Sequence, residues 1–376
     1  MDFDLREDQQ LLRDSVGAYL ARHYSFDQRR AVLQNGAWRP DIWSGFAEQL
    51  GLLGATIPET LGGFGGGPVE TMIICEKLGE ALVLEPYIEW VTLASALLNR
   101  AGDSVADLVA GIVDGSLRIA PALYEDKGRF SLALVTTRCT TEDGGWTVTG
   151  TKTGIAGTAG ATHFLVSARA SGEGRDPKGI ALLLVAADAP DIERRDYTLI
   201  DGRSASDVSF HDTPARLIEF NDDTLATIER AVDEATVAVC AEAVGVMQTA
   251  LDMTVAYASQ RQQFGKPIAS FQALQHRMVD MNTQIELSRS LTIMATLTVS
   301  APDHERRKAV SAAKAFISEA TKFVGQGAVQ IHGGIGTTDE LAISHYFKRA
   351  TVIETQFGSA ATHLKRMGEA SSEPAA

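Results

Sequence analysis

Two short stretches in the C-terminal half of this 376-residue chain decide its fold: Arg261-Gln262-Gln263-Phe264-Gly265 and Gln330-Ile331-His332-Gly333-Gly334. An arginine where a helix meets a Gly-Lys-Pro turn can offer its planar guanidinium to a diphosphate. The neighbouring aromatic ring can pack on a purine or a ribose. Paired glycines after a helical run let a ligand approach bare backbone. Each stretch alone is also compatible with a simple helix end, in which Phe264 is buried and His332 is structural.

The sequence around these stretches is helical in character. From Leu225 to Arg366 apolar residues recur at helical spacing and glycine and proline are sparse, which predicts a helical bundle. Residues 1 to 118 have the same periodicity, broken by the glycine-rich run from Leu61 to Pro68. A long helix is expected to begin directly after that run, at Val69.

The middle of the chain has a different sequence pattern, which is typical of β-strands. Short β-branched runs are separated by turn residues there, and Asp143-Gly144-Gly145 predicts a hairpin. Strands without intervening helices favour a small barrel or sandwich over a Rossmann sheet. The predicted strands are Leu132 to Thr137, Trp146 to Gly150, Phe164 to Ser167 and Ile180 to Val185.

These textures together predict an α+β multidomain protein. We expect an N-terminal helical domain (1–118), a middle β-barrel or β-sandwich domain (119–222) and a C-terminal four-helix-bundle domain (223–370), followed by a disordered tail (371–376). Helical layers on either side of a β-domain leave clefts at the seams, and cofactor sites tend to form in such clefts.

Composition narrows the function. The formal net charge of −14 argues against a nucleic-acid partner, which requires a basic face. The three cysteines are Cys75, Cys139 and Cys240, and their odd number and wide spacing predict neither a disulfide framework nor a metal site. No apolar leader and no membrane span are predicted, so the expected location is the cytoplasm.

The two stretches together resemble the flavin signature of the acyl-CoA dehydrogenase family, and the resemblance extends over nearly the whole chain. Within that family the chain most resembles the small subunit of pimeloyl-CoA dehydrogenase-type enzymes. The resemblance implies FAD as cofactor, an acyl-CoA thioester as substrate in a β-oxidation-type reaction, and electron-transferring flavoprotein as acceptor. It also implies a hetero- or homo-tetramer, because one subunit holds the ADP half of FAD and its neighbour holds most of the flavin ring. The implied cofactor-binding residues are Arg261, Gln263, Phe264, Gln330, Gly333 and Gly334.

The positions that match the family's catalytic base depart from the pattern. The usual glutamate position corresponds to Phe357, and the alternative position on an earlier helix corresponds to Ala235. Neither side chain can accept a proton. Nearby carboxylates are Glu234, Glu242 and Glu354, each of which is also compatible with an ordinary solvated or paired helix residue. The catalytic residue is therefore unknown from the sequence.

The segments that match the family's flavin-ring platform also depart from it. Residues 124–131 keep a glutamate, Glu125, but lack the family's threonine, proline and Gly-Ser-Asp run. Residues 150–157 keep the Gly-x-Lys element with Lys152, but lack the tryptophan, threonine and asparagine that follow it in the family. Compared with the family pattern, the residues matched to ADP binding are present, whereas most of those matched to the flavin ring are replaced.

Three hypotheses follow from this pattern. The chain is a non-catalytic or half-catalytic subunit whose larger partner supplies the base, or a self-sufficient homo-oligomer with a displaced carboxylate, Glu234 or Glu354. The third is a binding or scaffold protein that keeps the fold without redox chemistry. The acyl group is open between dicarboxylyl, medium-chain and bulky ring-bearing thioesters.

Overall fold

The computed structural model describes residues 5–35, 38–142 and 144–372, and the chain forms two compact units. The first unit comprises Met1–Arg29, Pro68–Val83 and Thr236–Ala376; the second comprises Arg30–Gly67 and Leu84–Ala235. The three predicted domain boundaries and the disordered tail stay predictions, and residues 373–376 lie outside the described residues.

Helices occupy both ends of the chain, as predicted. In chain order they are α1 (Glu7–His23), α2 (Phe26–Asn35), α3 (Pro40–Ser44), α4 (Pro68–Glu80), α5 (Ala94–Leu98), α6 (Ala106–Val113), α7 (Thr224–Gln260), α8 (Gln272–Thr298), α9 (Asp303–His332), α10 (Ala342–Thr355) and α11 (Ala360–Ser372). The helix expected from Val69 is confirmed as α4, with Pro68 in the first turn, where a missing N–H costs nothing.

The first unit contains a close crossing of α4 and α7. A Cβ added at Gly79 would lie 2.2 Å from the carbonyl oxygen of Glu242, and one at Gly245 would lie 2.1 Å from that of Glu76. Both obstacles are helix backbone, which cannot rotate away. Glycine at these two positions is therefore what lets the helices touch and fixes α7 against α4.

Helix α7 is long and apolar enough to pass a length-and-composition test for a membrane span, but 78% of the window that passes is buried inside the protein. This burial is typical of the core helix of a bundle, whose apolar residues face other helices on all sides.

The second unit is built on a β-sheet. Its strands are β1 (Ile119–Ala122), β2 (Arg138–Glu142), β3 (Gly145–Ala156), β4 (His163–Arg169), β5 (Ile180–Ala186), β6 (Ile192–Thr198) and β7 (Ser204–Ile218). The strand order is β1-β4-β2-β3-β7-β5, with β6 on β7, and a further pairing of β4 with β5 closes the sheet on itself. This confirms the expected β-domain of barrel type.

Three of the four predicted strands are confirmed, within β3, β4 and β5. The fourth prediction, Leu132 to Thr137, is wrong, because that segment has no strand and β2 begins only at Arg138. Its backbone groups bond to buried side chains instead of a ladder. Arg169 donates to the carbonyls of Ala133 (3.0 Å) and Val135 (3.1 Å), and Glu125 accepts the N–H groups of Thr136 and Thr137.

The hairpin predicted at Asp143-Gly144-Gly145 involves a residue, Asp143, that lies outside the described residues. On either side of it, β2 and β3 pair antiparallel, with Glu142 opposite Gly145. The two strands are thus neighbours in the sheet, and β3 carries Lys152 into its interior.

Candidate functional site

The first stretch forms a small exposed hairpin at the end of α7. Gln262–Gln263 (β8) and Lys266–Pro267 (β9) pair antiparallel around Phe264 and Gly265, which have positive φ values of 53° and 78°. The N–H of Ile268 donates to the carbonyl of Arg261 at 2.8 Å and closes the hairpin base. Residues 261–267 are all exposed.

Phe264 is 91% exposed, so the simple helix-end interpretation with a buried ring is wrong. Its only close aromatic neighbour in the described chain is Phe271, edge-on at a centroid distance of 6.1 Å. A bulky residue with positive φ is strained, and the tight two-residue turn is what imposes that conformation. The hairpin therefore holds an apolar ring out from the surface, where a ligand or another chain can cover it.

The second stretch ends α9 and leaves bare backbone. Gly333 has a φ of 70°, and a Cβ added at Gly333 or Gly334 would meet nothing within 4 Å. Gln330, Gly333 and Gly334 are all exposed. The paired glycines therefore present an open stretch of main chain.

His332 is structural, as expected. It is buried, its Nδ1 lies 2.9 Å from the carbonyl of Ala328, and burial lowers its pKa. Its ring stacks on Tyr257 at 4.4 Å, and the Tyr257 hydroxyl donates to the His332 carbonyl at 3.3 Å. Tyr257 lies one helical turn before Arg261, so this contact brings the end of α7 and the end of α9 together. The two stretches are therefore neighbours in the folded first unit.

The positions matched to a catalytic base hold no carboxylate. Phe357, with a φ of 59°, lies in the turn between α10 and α11, and Ala235 is fully buried in α7. Two of the three nearby carboxylates are already bound. Glu234 forms an ion pair with Arg100, and the buried Glu242 accepts two hydrogen bonds from Arg349, at 2.9 Å from Nε and 2.6 Å from Nη2.

Glu354 differs from the other two carboxylates. It is half-buried in the last turn of α10, three residues before Phe357. Within the described part of the chain no ion pair of 4.0 Å or less involves its carboxylate, although its negative charge raises the pKa of the buried Lys314 ammonium. Of the three carboxylates, Glu354 is the one that a new partner could use at the smallest cost.

Three hydrogen bonds that the sequence gives no direct sign of hold the turn at Phe357. The carbonyl of Phe357 accepts a hydrogen bond from His363 Nε2 at 3.1 Å. The side chain of Gln356 accepts one from Arg349 at 2.8 Å. The carbonyl of Gly358 accepts one from Lys314 Nζ at 3.0 Å.

Lys314 lies in α9 and is fully buried. Besides Gly358, its ammonium donates to the carbonyls of Ile353 (2.9 Å) and Glu354 (3.2 Å) and to the hydroxyl of Ser318 (2.8 Å). It therefore caps the end of α10, whose last carbonyls have no partner within the helix. Burial lowers its pKa to about 8. The sequence did contain one sign of this role, because Lys314 lies among the alanines that form the buried face of α9.

In the β-domain, Glu125 and Lys152, which are kept from the two flavin-platform segments, bind each other. Lys152 Nζ donates to Glu125 Oε1 at 2.8 Å, and both side chains are buried. Burial alone would raise the pKa of Glu125, but the Lys152 charge and the hydrogen bonds from Lys152, Thr136 and Thr137 lower it to about 2. Burial lowers the pKa of Lys152 to about 8. These residues stabilise the domain and face each other instead of a ligand.

No group of three or more metal-binding side chains occurs among the residues that the structure describes. The three cysteines are buried, and burial raises the pKa of Cys139 to about 11 and that of Cys240 to about 12. Thiolate chemistry is therefore disfavoured at both of these cysteines.

Comparison with protein families gives one consistent result over most of the chain. The model for "Acyl-CoA dehydrogenase, N-terminal domain" matches residues 6–104, that for the middle domain matches residues 120–213, and that for the C-terminal domain matches residues 225–372.

Individual relatives have low sequence identity to this chain but match it over nearly its whole length. An acyl-CoA dehydrogenase named IpdE2 from Mycolicibacterium smegmatis is 28% identical over 366 residues, which cover 96% of this chain and 98% of the relative. The solved ChsE4-ChsE5 complex from Mycobacterium tuberculosis contains a chain that is 27% identical, with a TM-score of 0.88 and 100% coverage of both chains. A variant of the Tcur3481-Tcur3483 steroid ACAD is 29% identical, with a TM-score of 0.87 and 97% coverage of both chains.

Proposed function

The chain belongs to the acyl-CoA dehydrogenase family, and we propose that it is the small subunit of a heteromeric enzyme that oxidises the α,β bond of an acyl-CoA thioester. In this proposal the chain lends the ADP-binding half of an FAD site to a larger partner. The partner supplies the catalytic base and the flavin-ring platform. Electron-transferring flavoprotein is the proposed acceptor, and the cytoplasm is the proposed location.

The observation that carries the proposal is a contrast within one chain. The candidate ADP-binding residues lie together at the exposed ends of α7 and α9, while the base positions hold Phe357 and Ala235. Glu234 and Glu242 are occupied in ion pairs, and the buried Glu242–Arg349 pair is costly to break. A chain of this kind can bind one end of a cofactor without removing a substrate proton.

The exposed residues fit the ADP end of FAD. An arginine fork beside a hairpin suits a diphosphate, the protruding Phe264 ring suits a purine or ribose, and bare glycine backbone suits close approach of an anion. FAD, when bound, supplies the hydride acceptor for the β-carbon of the substrate. The residues proposed to hold it are Arg261, Gln263, Phe264, Gln330, Gly333 and Gly334.

Two further observations support a partner chain. One solved structure that is similar to this chain is a complex of two named components, ChsE4-ChsE5. On α8, Val279, Leu287 and Met294 are 62%, 46% and 41% exposed, and their spacing places them on one side of the helix. An exposed apolar stripe opposite the buried face of a helix is typical of an oligomer interface.

Co-expression tests the proposal directly. The chain alone should show little acyl-CoA dehydrogenase activity, and a co-expressed acyl-CoA dehydrogenase-like chain that keeps the glutamate and flavin-platform motifs should restore it. Full activity of the lone chain refutes the heteromeric proposal. A complex that stays colourless and lacks FAD instead favours the scaffold hypothesis.

The ADP half-site is tested within the active complex. Arg261→Met in this chain should weaken FAD binding by about ten- to a hundredfold, because charge-assisted hydrogen bonds contribute about 1.5–3 kcal/mol. Arg22→Met is the matched control, since Arg22 is an exposed arginine on α1. Equal FAD affinity in the two variants rules out a role for Arg261 in cofactor binding.

A self-sufficient homotetramer with Glu354 as the base is the second candidate, favoured by the absence of an ion pair at that carboxylate within the described chain. Glu354→Gln should then abolish turnover of the lone chain. Glu340→Gln, an exposed glutamate before α10, is the control. Unchanged turnover in Glu354→Gln eliminates this candidate.

A further inference from the structure

The proposed cofactor-binding residues lie at two helix ends, and one pair of rings joins these ends. Tyr257 lies in the last turn of α7, one turn before Arg261, and His332 is the last residue of α9, directly before Gly333. The two rings stack with their centroids 4.4 Å apart and an angle of 22° between their planes. A movement of one helix end relative to the other therefore disturbs this stack.

Hydrogen bonds connect the two rings to the main chain around them. The N–H of Arg261 donates to the carbonyl of Tyr257 at 2.8 Å, and the hydroxyl of Tyr257 donates to the carbonyl of His332 at 3.3 Å. The N–H of Gly333 donates to the carbonyl of Val329 within α9. The position of the rings therefore sets the position of the backbone at Arg261 and at Gly333.

The turn that follows α9 packs against the same histidine. A Cβ added at Gly336 would lie 2.9 Å from the Cβ of His332. Gly336 is buried, whereas Gly333 and Gly334 are exposed. His332 therefore supports the glycine turn from inside the protein and contacts the end of α7 through its ring.

The state of the His332 ring suits a fixed support. Its Nδ1 lies 2.9 Å from the carbonyl of Ala328, and because a carbonyl only accepts, Nδ1 carries the hydrogen. Burial lowers the pKa of His332, which keeps the imidazole neutral at pH 7. The ring is thus held by its own helix at one atom and by the Tyr257 ring across its face.

Given the FAD half-site proposed above, we propose that Tyr257 and His332 are positioning residues, which hold Arg261 and the Gly333 turn at the separation that the ADP end of FAD requires. Neither ring has to touch the cofactor. A site that is ordered before binding loses less conformational freedom on binding and so has a higher affinity. Without the stack, the two helix ends move independently in the empty site, and binding of FAD has to order them.

Titration of FAD into the heteromeric complex, first depleted of the cofactor, tests the proposal. Tyr257→Leu in this chain should weaken FAD binding by about two- to tenfold, the effect of one aromatic pair. Tyr257→Phe keeps the stacked ring and loses only the hydroxyl, so it should recover most of that affinity. A role confined to the stability of the fold predicts equal FAD affinity in the two variants well below their melting temperatures.

Tyr19→Leu is the matched control. Tyr19 and His23 also form a Tyr–His ring contact, with centroids 4.6 Å apart, and Tyr19 is half-buried like Tyr257. Both residues belong to α1, so this pair does not connect the ends of α7 and α9. Tyr19→Leu should leave the FAD affinity unchanged, and a loss as large as that of Tyr257→Leu overturns the proposal.

His332→Leu, alone and combined with Tyr257→Leu, shows whether the two rings act as one unit. The single variant should lose affinity as Tyr257→Leu does, which keeps the test valid if Tyr257→Leu fails to fold. The double variant should bind FAD no more weakly than the weaker single variant, whereas independent effects multiply. Losses that multiply refute the joint positioning role.

Arg261→Met in the same titration distinguishes this role from the half-site itself. If Arg261→Met weakens FAD binding while Tyr257→Leu and His332→Leu do not, the half-site is supported and the positioning role is refuted. If all three variants bind FAD as the wild-type complex does, both the half-site and the positioning role are wrong.

Discussion

Replacing Lys314 with methionine removes the ammonium that holds the end of α10 and the turn at Gly358, while keeping an unbranched side chain of similar length. Three main-chain carbonyls lose their donor: those of Ile353, Glu354 and Gly358. At about 2 kcal/mol for each buried unpaired carbonyl, the loss is about 6 kcal/mol. Methionine also removes a buried charge.

The size of that second effect follows from the pKa. Burial lowers the pKa of Lys314 from 10.5 to about 8, which corresponds to about 3 kcal/mol against the charged form in the folded chain. The net expected loss in the free energy of unfolding at pH 7 is therefore about 3 kcal/mol. Urea unfolding followed by circular dichroism measures it.

Lys322→Met is the matched control, because Lys322 is an exposed lysine on the same helix, α9. It should change the free energy of unfolding by no more than about 0.5 kcal/mol. If the two variants are equally stable, the proposed role of Lys314 in holding the turn is refuted.

The same comparison has a pH dependence of known sign. Between pH 8 and 10.5 the unfolded chain holds the Lys314 proton while the folded chain has lost it, so the wild-type free energy of unfolding rises with pH from this group. Lys314→Met lacks this contribution. The stability difference between the two proteins should therefore widen by up to about 3 kcal/mol over that range, and a constant difference would contradict the assigned pKa shift.

The remaining predictions concern the helix crossing, the buried pair and the hairpin. Gly245→Ala should lower the free energy of unfolding by about 1–3 kcal/mol, because its Cβ meets fixed backbone; Gly368→Ala, with nothing within 4 Å of its Cβ, should be neutral or stabilising by thermal melting. The folded-state pKa of Glu125 is about 2 against 4.5, so its contribution of about 3 kcal/mol is present above pH 4.5 and is lost as pH falls toward 2. Acid titration of Glu125→Gln should not show that loss; a parallel loss in the variant would exclude Glu125 as its source. Phe264→Ala should leave the melting temperature unchanged, since the ring is 91% exposed, yet lower the FAD content of the complex.

Local sequence predicted helices and strands correctly where the backbone hydrogen bonds form within a helix or between paired strands. Helix α4 and strands β3, β4 and β5 follow from periodicity and turn residues, because their hydrogen bonds are internal to a helix or a ladder. Leu132 to Thr137 has the same β-branched composition, but distant side chains take its backbone groups. Composition carries no information about a partner many residues away.

The candidate site shows the same division. Arg261 and Gln330 were identified by residue type and motif, but the stacking of Tyr257 on His332 brings their helix ends together. A two-residue turn is compatible with either a buried or an exposed ring, so only the folded chain shows that Phe264 is exposed. For Glu234 and Glu242, only the folded chain identifies the arginines that bind them.

The sequence by itself determined the family, the order of helical and β segments and the absence of a carboxylate at Phe357 and Ala235, because each of these depends on residue identity along the chain. Tertiary structure alone decided which groups meet: the contact of α4 and α7 at Gly79 and Gly245, and the four acceptors around Lys314. The physical reason is that close contact and burial are set by residues far apart in the chain. The same lysine would be an ordinary solvated charge on any helix face that the fold left open.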